Sequence, residues 1–147
     1  MKPILFLFIL ILSISCKSSL EAKTKNHQVN IMNSDKKAEL GDINQVSDSI
    51  RILSATISGN TINLEVSYSG GCQPHYFQLI GSPMIAKSLP PIRSVVLVHQ
   101  ANNDLCKKQI IETLSFDIRD FAYTQNDSEI LLSIKGYDNR ILYHFKP

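Results

Sequence analysis

"TINLEVSYS", from Thr61 to Ser69, alternates without a break. Ile62, Leu64, Val66 and Tyr68 fall on one side, and Asn63, Glu65 and Ser67 on the other. That is the period of 2 expected of a half-buried β-strand. Directly upstream, "SIRILSATIS" (Ser49 to Ser58) is rich in β-branched residues, and Gly59-Asn60 separates the two runs. Gly-Asn between such runs is a hairpin signal, so the two stretches are expected to pair antiparallel.

The same grammar continues downstream. Gly70-Gly71 marks a bend or bulge, and "HYFQLI" (His75 to Ile80) places His75, Phe77 and Leu79 on one face. "GSPMIAKSLPP", with three prolines and a glycine, reads as a loop. "IRSVVLVHQ" (Ile92 to Gln100) is almost continuously apolar in its middle, as a strand covered on both faces would be. "ANND" is a turn. "ETLSFDI" alternates through Leu114, Phe116 and Ile118, and "SEILLSIKG" and "RILYHF" close the chain across a turn at Gly136 to Asn139. Seven short strands, frequent turn signals and no long helical period predict an all-β, antiparallel β-sandwich. A small closed barrel is the main alternative arrangement of the same strands.

The N-terminus has a different character. "MKPILFLFILILSISC" offers Lys2, an apolar run from Ile4 to Leu12, small residues and then Cys16. This is the layout of a secretory signal, too short for a bilayer-spanning helix. It resembles a bacterial lipoprotein signal, in which the cysteine is acylated, by palmitate among other chains, and becomes the mature N-terminus. Ser13 stands where the usual pattern has Leu, with Leu12 one step further back. Cysteine arithmetic agrees: the chain has three cysteines, and lipid on Cys16 leaves Cys72 and Cys106 as an even pair. Residues 17–49 are polar, without a sustained period, and are expected to form a flexible tether of roughly 30 Å, with at most a marginal short helix near Lys36 to Leu40. The expected organisation is a signal peptide at 1–15, a lipidated Cys16 with its tether to 49, and a β-sandwich over 50–147. The expected place is the bacterial cell envelope, lipid-anchored at the outer membrane.

Composition removes some functions. Lys+Arg 15 against Asp+Glu 13 gives a net charge of +2 over 147 residues, with no basic stripe, so no nucleic-acid partner is expected. Hydrophobic residues at 44% suffice for a packed core. The nucleophile-elbow, P-loop, zincin and dinucleotide-binding patterns are all absent, so no enzyme is expected.

The chemistry that remains gathers in "YSGGCQPHYFQLI" (Tyr68 to Ile80) and "VLVHQANNDLC" (Val96 to Cys106). If the two strands are antiparallel neighbours, Cys72, His75, His99, Asp104 and Cys106 all fall at one end of the sheet. Three readings follow. Export favours a Cys72–Cys106 disulfide, stabilising by about 4 kcal/mol in the loop-entropy picture. A zinc or copper site could use Cys72, His75, His99 and Cys106, with Asp104 as an oxygen ligand or, were the sulfurs oxidised, with the two histidines. A thiol enzyme would use Cys72 as nucleophile, His99 as base and Asp104 to orient it. Each histidine is also well placed as a hydrogen-bonded rim residue. His27 lies in the tether, and His144, between Tyr143 and Phe145, reads as structural.

Taken together, the lipoprotein-like start, the polar tether and "VSYSGGCQPHYFQLI … VLVHQANNDLC … ETLSFDI" resemble small lipoproteins from Bacteroidota. The sandwich is similar to the C-terminal domain of NigD-like proteins, over roughly Ile50 to Phe121. NigD-like proteins also carry an N-terminal barrel domain, for which 147 residues leave no room beside the sandwich. The resemblance implies fold and location and brings no assigned activity. The function expected is a non-catalytic binding or interaction module, held to the membrane by lipid and taking an unknown protein or small-molecule ligand.

Overall fold

A computed structural model describes residues 36–147. The expected signal peptide, Cys16, His27 and the first part of the tether lie outside the described residues. The leading hairpin is β3 (Arg51–Ser58) with β4 (Thr61–Gly70), turned at Gly59, whose φ of 58° favours a residue without Cβ. β7 (Lys108–Asp117) pairs antiparallel along the whole of β4, and β1 (Lys36–Lys37) adds in parallel at the far end of β7, giving the order β1-β7-β4-β3. The second sheet contains β2 (Glu39–Leu40), β5 (Tyr76–Ala86), β6 (Ile92–Gln100), β8 (Ser128–Ile134) and β9 (Ile141–Phe145), ordered β2-β5-β6-β8-β9. A single 3-10 turn, Arg119–Phe121, lies between β7 and β8. The all-β sandwich expectation is met. The sheets are mixed, because the chain changes layer between β1 and β2 and again on either side of β7. Parallel pairs arise at β1·β7, β2·β5 and β6·β8.

The alternation in "TINLEVSYS" does what it predicts. Ile62, Leu64 and Val66 are fully buried and meet Leu79, Leu97, Ile130, Leu132 and Tyr143 from the facing layer. β6 is apolar on both faces for a visible reason. Val95 and Leu97 point into this core, while Val96 and Val98 join Ile80 in a second cluster covered by Ile43.

Two expectations need correction. Residues 36–49 are not a free tether. β1 and β2 pair with opposite sheets, Ala38 between them is fully buried, and the Gly41 N–H donates to the Gly81 carbonyl at 2.9 Å. Nor is "GSPMIA" a loop: β5 runs on to Ala86 with a register break between Gly81 and Ile85. Pro83 sits in that break on a strand whose outer edge is paired only at Ile80 and Gly81, so its missing N–H costs no ladder bond.

Arg93 is buried, and no described carboxylate forms an ion pair with it. Its guanidinium donates to the carbonyls of Phe121 at 3.0 Å, Ala122 at 3.2 Å and Ser82, tying the 3-10 turn to the break in β5. Gly81 permits this approach: a Cβ there would stand 2.6 Å from the Phe121 ring.

Candidate functional site

The site is built where β4 leads into β5 and β6 into β7. β5 and β6 are antiparallel neighbours with Phe77 opposite His99, which brings both histidines to the same end of the sheet. Gly71, with φ of 109°, turns the chain after β4. Across from it, Ala101 to Asp104 closes a turn in which Asn102 and Asn103 both take positive φ (51° and 57°) and the Asp104 N–H donates to the Ala101 carbonyl. Asn accepts that conformation more readily than most residues. Cys72 and Cys106 are joined as a disulfide, with their Cα atoms 5.9 Å apart.

Asp104 organises the rim. Its Oδ1 accepts the Cys106 N–H at 2.8 Å, and its Oδ2 accepts the N–H groups of Cys72 at 2.9 Å and Gln73 at 3.0 Å. The same Oδ2 lies 3.2 Å from His75 Nε2. The side chain is fully covered. The N–H bonds from Cys106 and Cys72, with smaller help from Gln73 and His75, hold its carboxyl well below the usual carboxylate range, against the opposing effect of burial.

From Asp104 a chain of bonds runs inward. His75 Nδ1 lies 2.7 Å from His99 Nε2, and His99 Nδ1 lies 3.2 Å from the Ser49 carbonyl oxygen. The carbonyl at the inner end fixes where the shared hydrogens sit. A carbonyl only accepts, so His99 carries hydrogen on Nδ1 and, as a neutral ring, accepts at Nε2. His75 must then donate from Nδ1. Its Nε2 faces the Asp104 carboxylate. Burial, the largest influence, pulls the His99 pKa down and so favours its neutral form, in keeping with that assignment.

The rings are stacked as well as bonded. His99 lies nearly parallel to Phe77 (8°, centroids 4.9 Å apart), and Tyr68 packs against His75, Phe77 and His99 at 4.7 to 5.3 Å. The Tyr68 hydroxyl donates to Glu112 Oε1 at 2.6 Å, and burial and that carboxylate push the phenol pKa up. Gly70 is required here. A Cβ on it would stand 2.5 Å from the His75 ring.

All five rim residues singled out from the sequence therefore converge. The Cys₂His₂ metal set is not available, because both sulfurs are bonded to each other. The two sulfurs and the Asp104 carboxylate do lie within 4.8 Å of one another, but both carboxylate oxygens already accept N–H bonds. A thiol nucleophile is likewise absent while the disulfide is closed. Sequence reasoning passed over Tyr68, Gly70, Glu112 and residues 47–49. Tyr68 had a usable signal, as the last inward position of the alternating run. Ser47 and Asp48 had none. The His99 N–H donates to Ser47 Oγ at 3.0 Å, the Asp48 N–H to the His99 carbonyl at 2.8 Å, and the Ala101 N–H to Asp48 Oδ2 at 2.7 Å.

A cleft of about 530 Å³ opens beside the disulfide, lined by Asp48, Ser49, Arg51, Ser67, Ser69, His99, Lys107 and Gln109 among others.

No family model and no curated protein matches the chain. Among solved structures, the fold is similar to that of a NigD-like immunity protein from Bacteroides caccae, at 16% identity and a TM-score of 0.55, over 77% of this chain and 64% of that one. A protein of unknown function from Bacteroides vulgatus shows 14% identity and a TM-score of 0.49, over 77% and 57% of the two chains. A Bacteroides fragilis protein provisionally named a lipoprotein shows 16% identity and a TM-score of 0.46, over 76% and 70%. The chain thus spans somewhat under two thirds of the NigD-like protein's length, and the likeness to a NigD-like sandwich expected from the sequence holds at the level of fold.

Proposed function

We propose that this chain is a lipid-anchored module of the bacterial cell envelope, outer membrane included, that binds a ligand or partner at its disulfide rim without catalysing a reaction. The observation that carries this reading is that the cysteines, histidines and aspartate brought together at the rim are already engaged with one another or with the backbone. The sulfurs are bonded together, the Asp104 oxygens accept N–H bonds, and the ring nitrogens of His75 and His99 face each other or fixed acceptors. Such a network makes a rigid, shaped surface and leaves neither sulfur free as a nucleophile. The lipoprotein-like start supports the anchor, with Cys16 as the acylated residue.

Mass spectrometry of the mature protein, with and without reductant, tests the anchor and the sulfurs together. The expected result is an acylated Cys16 at the N-terminus and no free thiol until reductant is added. Turnover of a substrate abolished by Cys72→Ser would sink the non-catalytic reading.

A second reading has one observation in its favour, the convergence of His75, His99 and Asp104. It makes the protein a zinc or copper carrier. Two imidazoles on one ion need each nitrogen about 2.0–2.1 Å from the metal, and nitrogens already 2.7 Å apart would have to separate to admit it. Elemental analysis of protein from its native envelope decides: a stoichiometric metal lost in both His75→Ala and His99→Ala would favour the carrier.

A further inference from the structure

We propose that the cleft beside the disulfide is an oxyanion site, so that the ligand of this module presents a carboxylate, phosphate or sulfate group there; this rests on the binding-module reading. The inference comes from counting donors and acceptors. Arg51 and Lys107 both line the cleft, and neither is ion-paired with another described residue. Ser67 Oγ accepts from Gln109 Nε2 at 3.1 Å, which leaves its own O–H to donate. Ser69, directly opposite Gln109 on the neighbouring strand, adds a second hydroxyl.

Two of the acceptors, by contrast, are occupied. The Ser49 carbonyl takes the His99 Nδ1–H, and Asp48 Oδ2, on the cleft's one carboxylate, takes the Ala101 N–H. His99 at the floor is held neutral and aimed at Ser49. Two cations against one carboxylate, with spare hydroxyl donors, make a surface with positive charge and donors in excess. The group that completes it is one with several acceptor oxygens and negative charge. Arg51 lies opposite Ser67 across the β3–β4 pair, so guanidinium and hydroxyl can address one oxyanion together.

The test is an amide and imidazole NMR titration of the full chain with inorganic phosphate, sulfate, acetate and a neutral disaccharide, at matched ionic strength set with chloride. Saturable shifts at Ser67, Ser69, Lys107 and His99 are expected with at least one anion. Preference for acetate identifies a carboxylate ligand, and preference for phosphate or sulfate a tetrahedral one. Affinity should fall at least tenfold in Arg51→Gln/Lys107→Gln, two exposed changes whose unchanged melting temperature would show an intact fold. Anion shifts that never saturate, or that survive the double variant, overturn the proposal. Saturable shifts from the disaccharide alone overturn the oxyanion class and leave the binding module standing, whereas a rim that no probe shifts overturns both.

Discussion

At the scale of single residues, the rim is a device for placing charge where solvent does not reach. Besides Tyr68, two groups there hold pKa values away from their ordinary ones, and both of these shifts act in the same direction on acidification. His99 is pulled below 6.5 by burial, so the unfolded chain takes up its proton first and stability falls as pH drops below about 6.5. Asp104 is pulled below 3.8 by its N–H partners, so a second loss begins below about pH 4. The melting temperature should therefore decline in two stages between pH 8 and pH 2. In His99→Gln the upper stage should vanish while the lower persists, and a single smooth decline in the wild type would contradict this account. Gly70→Ala probes the same network by sterics. The His75 ring is pinned between Asp104 and His99 and has nowhere to retreat from a new methyl. A loss of about 1–3 kcal/mol in urea denaturation is expected, together with displaced imidazole resonances, while Gly136→Ala, at an open turn with positive φ, should leave those resonances in place.

At the scale of elements, the disulfide bridges residues 34 apart and ties the turn after β4 to the one before β7. Replacing both cysteines with serine is expected to cost about 4 kcal/mol by the loop-entropy relation, read as a lower urea midpoint, with the β3–β4 hairpin still formed by amide exchange. How far these elements were legible follows from period and length. β4, β7, β8 and β9 could be read because period 2 over five or more residues survives in sequence, and β6 because its apolar run is nearly unbroken. The rim followed from one strand pairing, His75's strand against His99's. β1 and β2 could not be read: two-residue strands have no period, and the single buried side chain between them, Ala38, carries little apolar signal. β5 past Gly81 was hidden by Pro83, which usually ends a strand and here occupies an edge where no bond is owed. Arg93 was hidden too, because its partners are carbonyls supplied by residues 82, 121 and 122, and backbone acceptors leave no trace in side-chain identity.

At the scale of the whole molecule, the segment 36–49 joins the two layers. It pairs with β7 on one sheet and β5 on the other, then lays Ile43 over the outer face of β6 and brings residues 47–49 to the histidines. A chain starting at Ile50 loses all of these contacts and uncovers Ile80, Val96 and Val98. It should melt well below one starting at Lys36, by several degrees at least, and should lose the His99 imidazole signature even though Cys72 and Cys106 remain. Equal melting temperatures would show that the segment is passive. The placement of that segment also sets how the molecule answers a mechanical load. A pull on the N-terminus enters at Lys36, beside Phe116 and so at the opposite end of β7 from the sulfur bridge. Tension meets two short backbone ladders before it reaches the hairpin interior. The two ladders at the base are therefore expected to yield first under force, like a fuse, with the far rim holding its shape meanwhile.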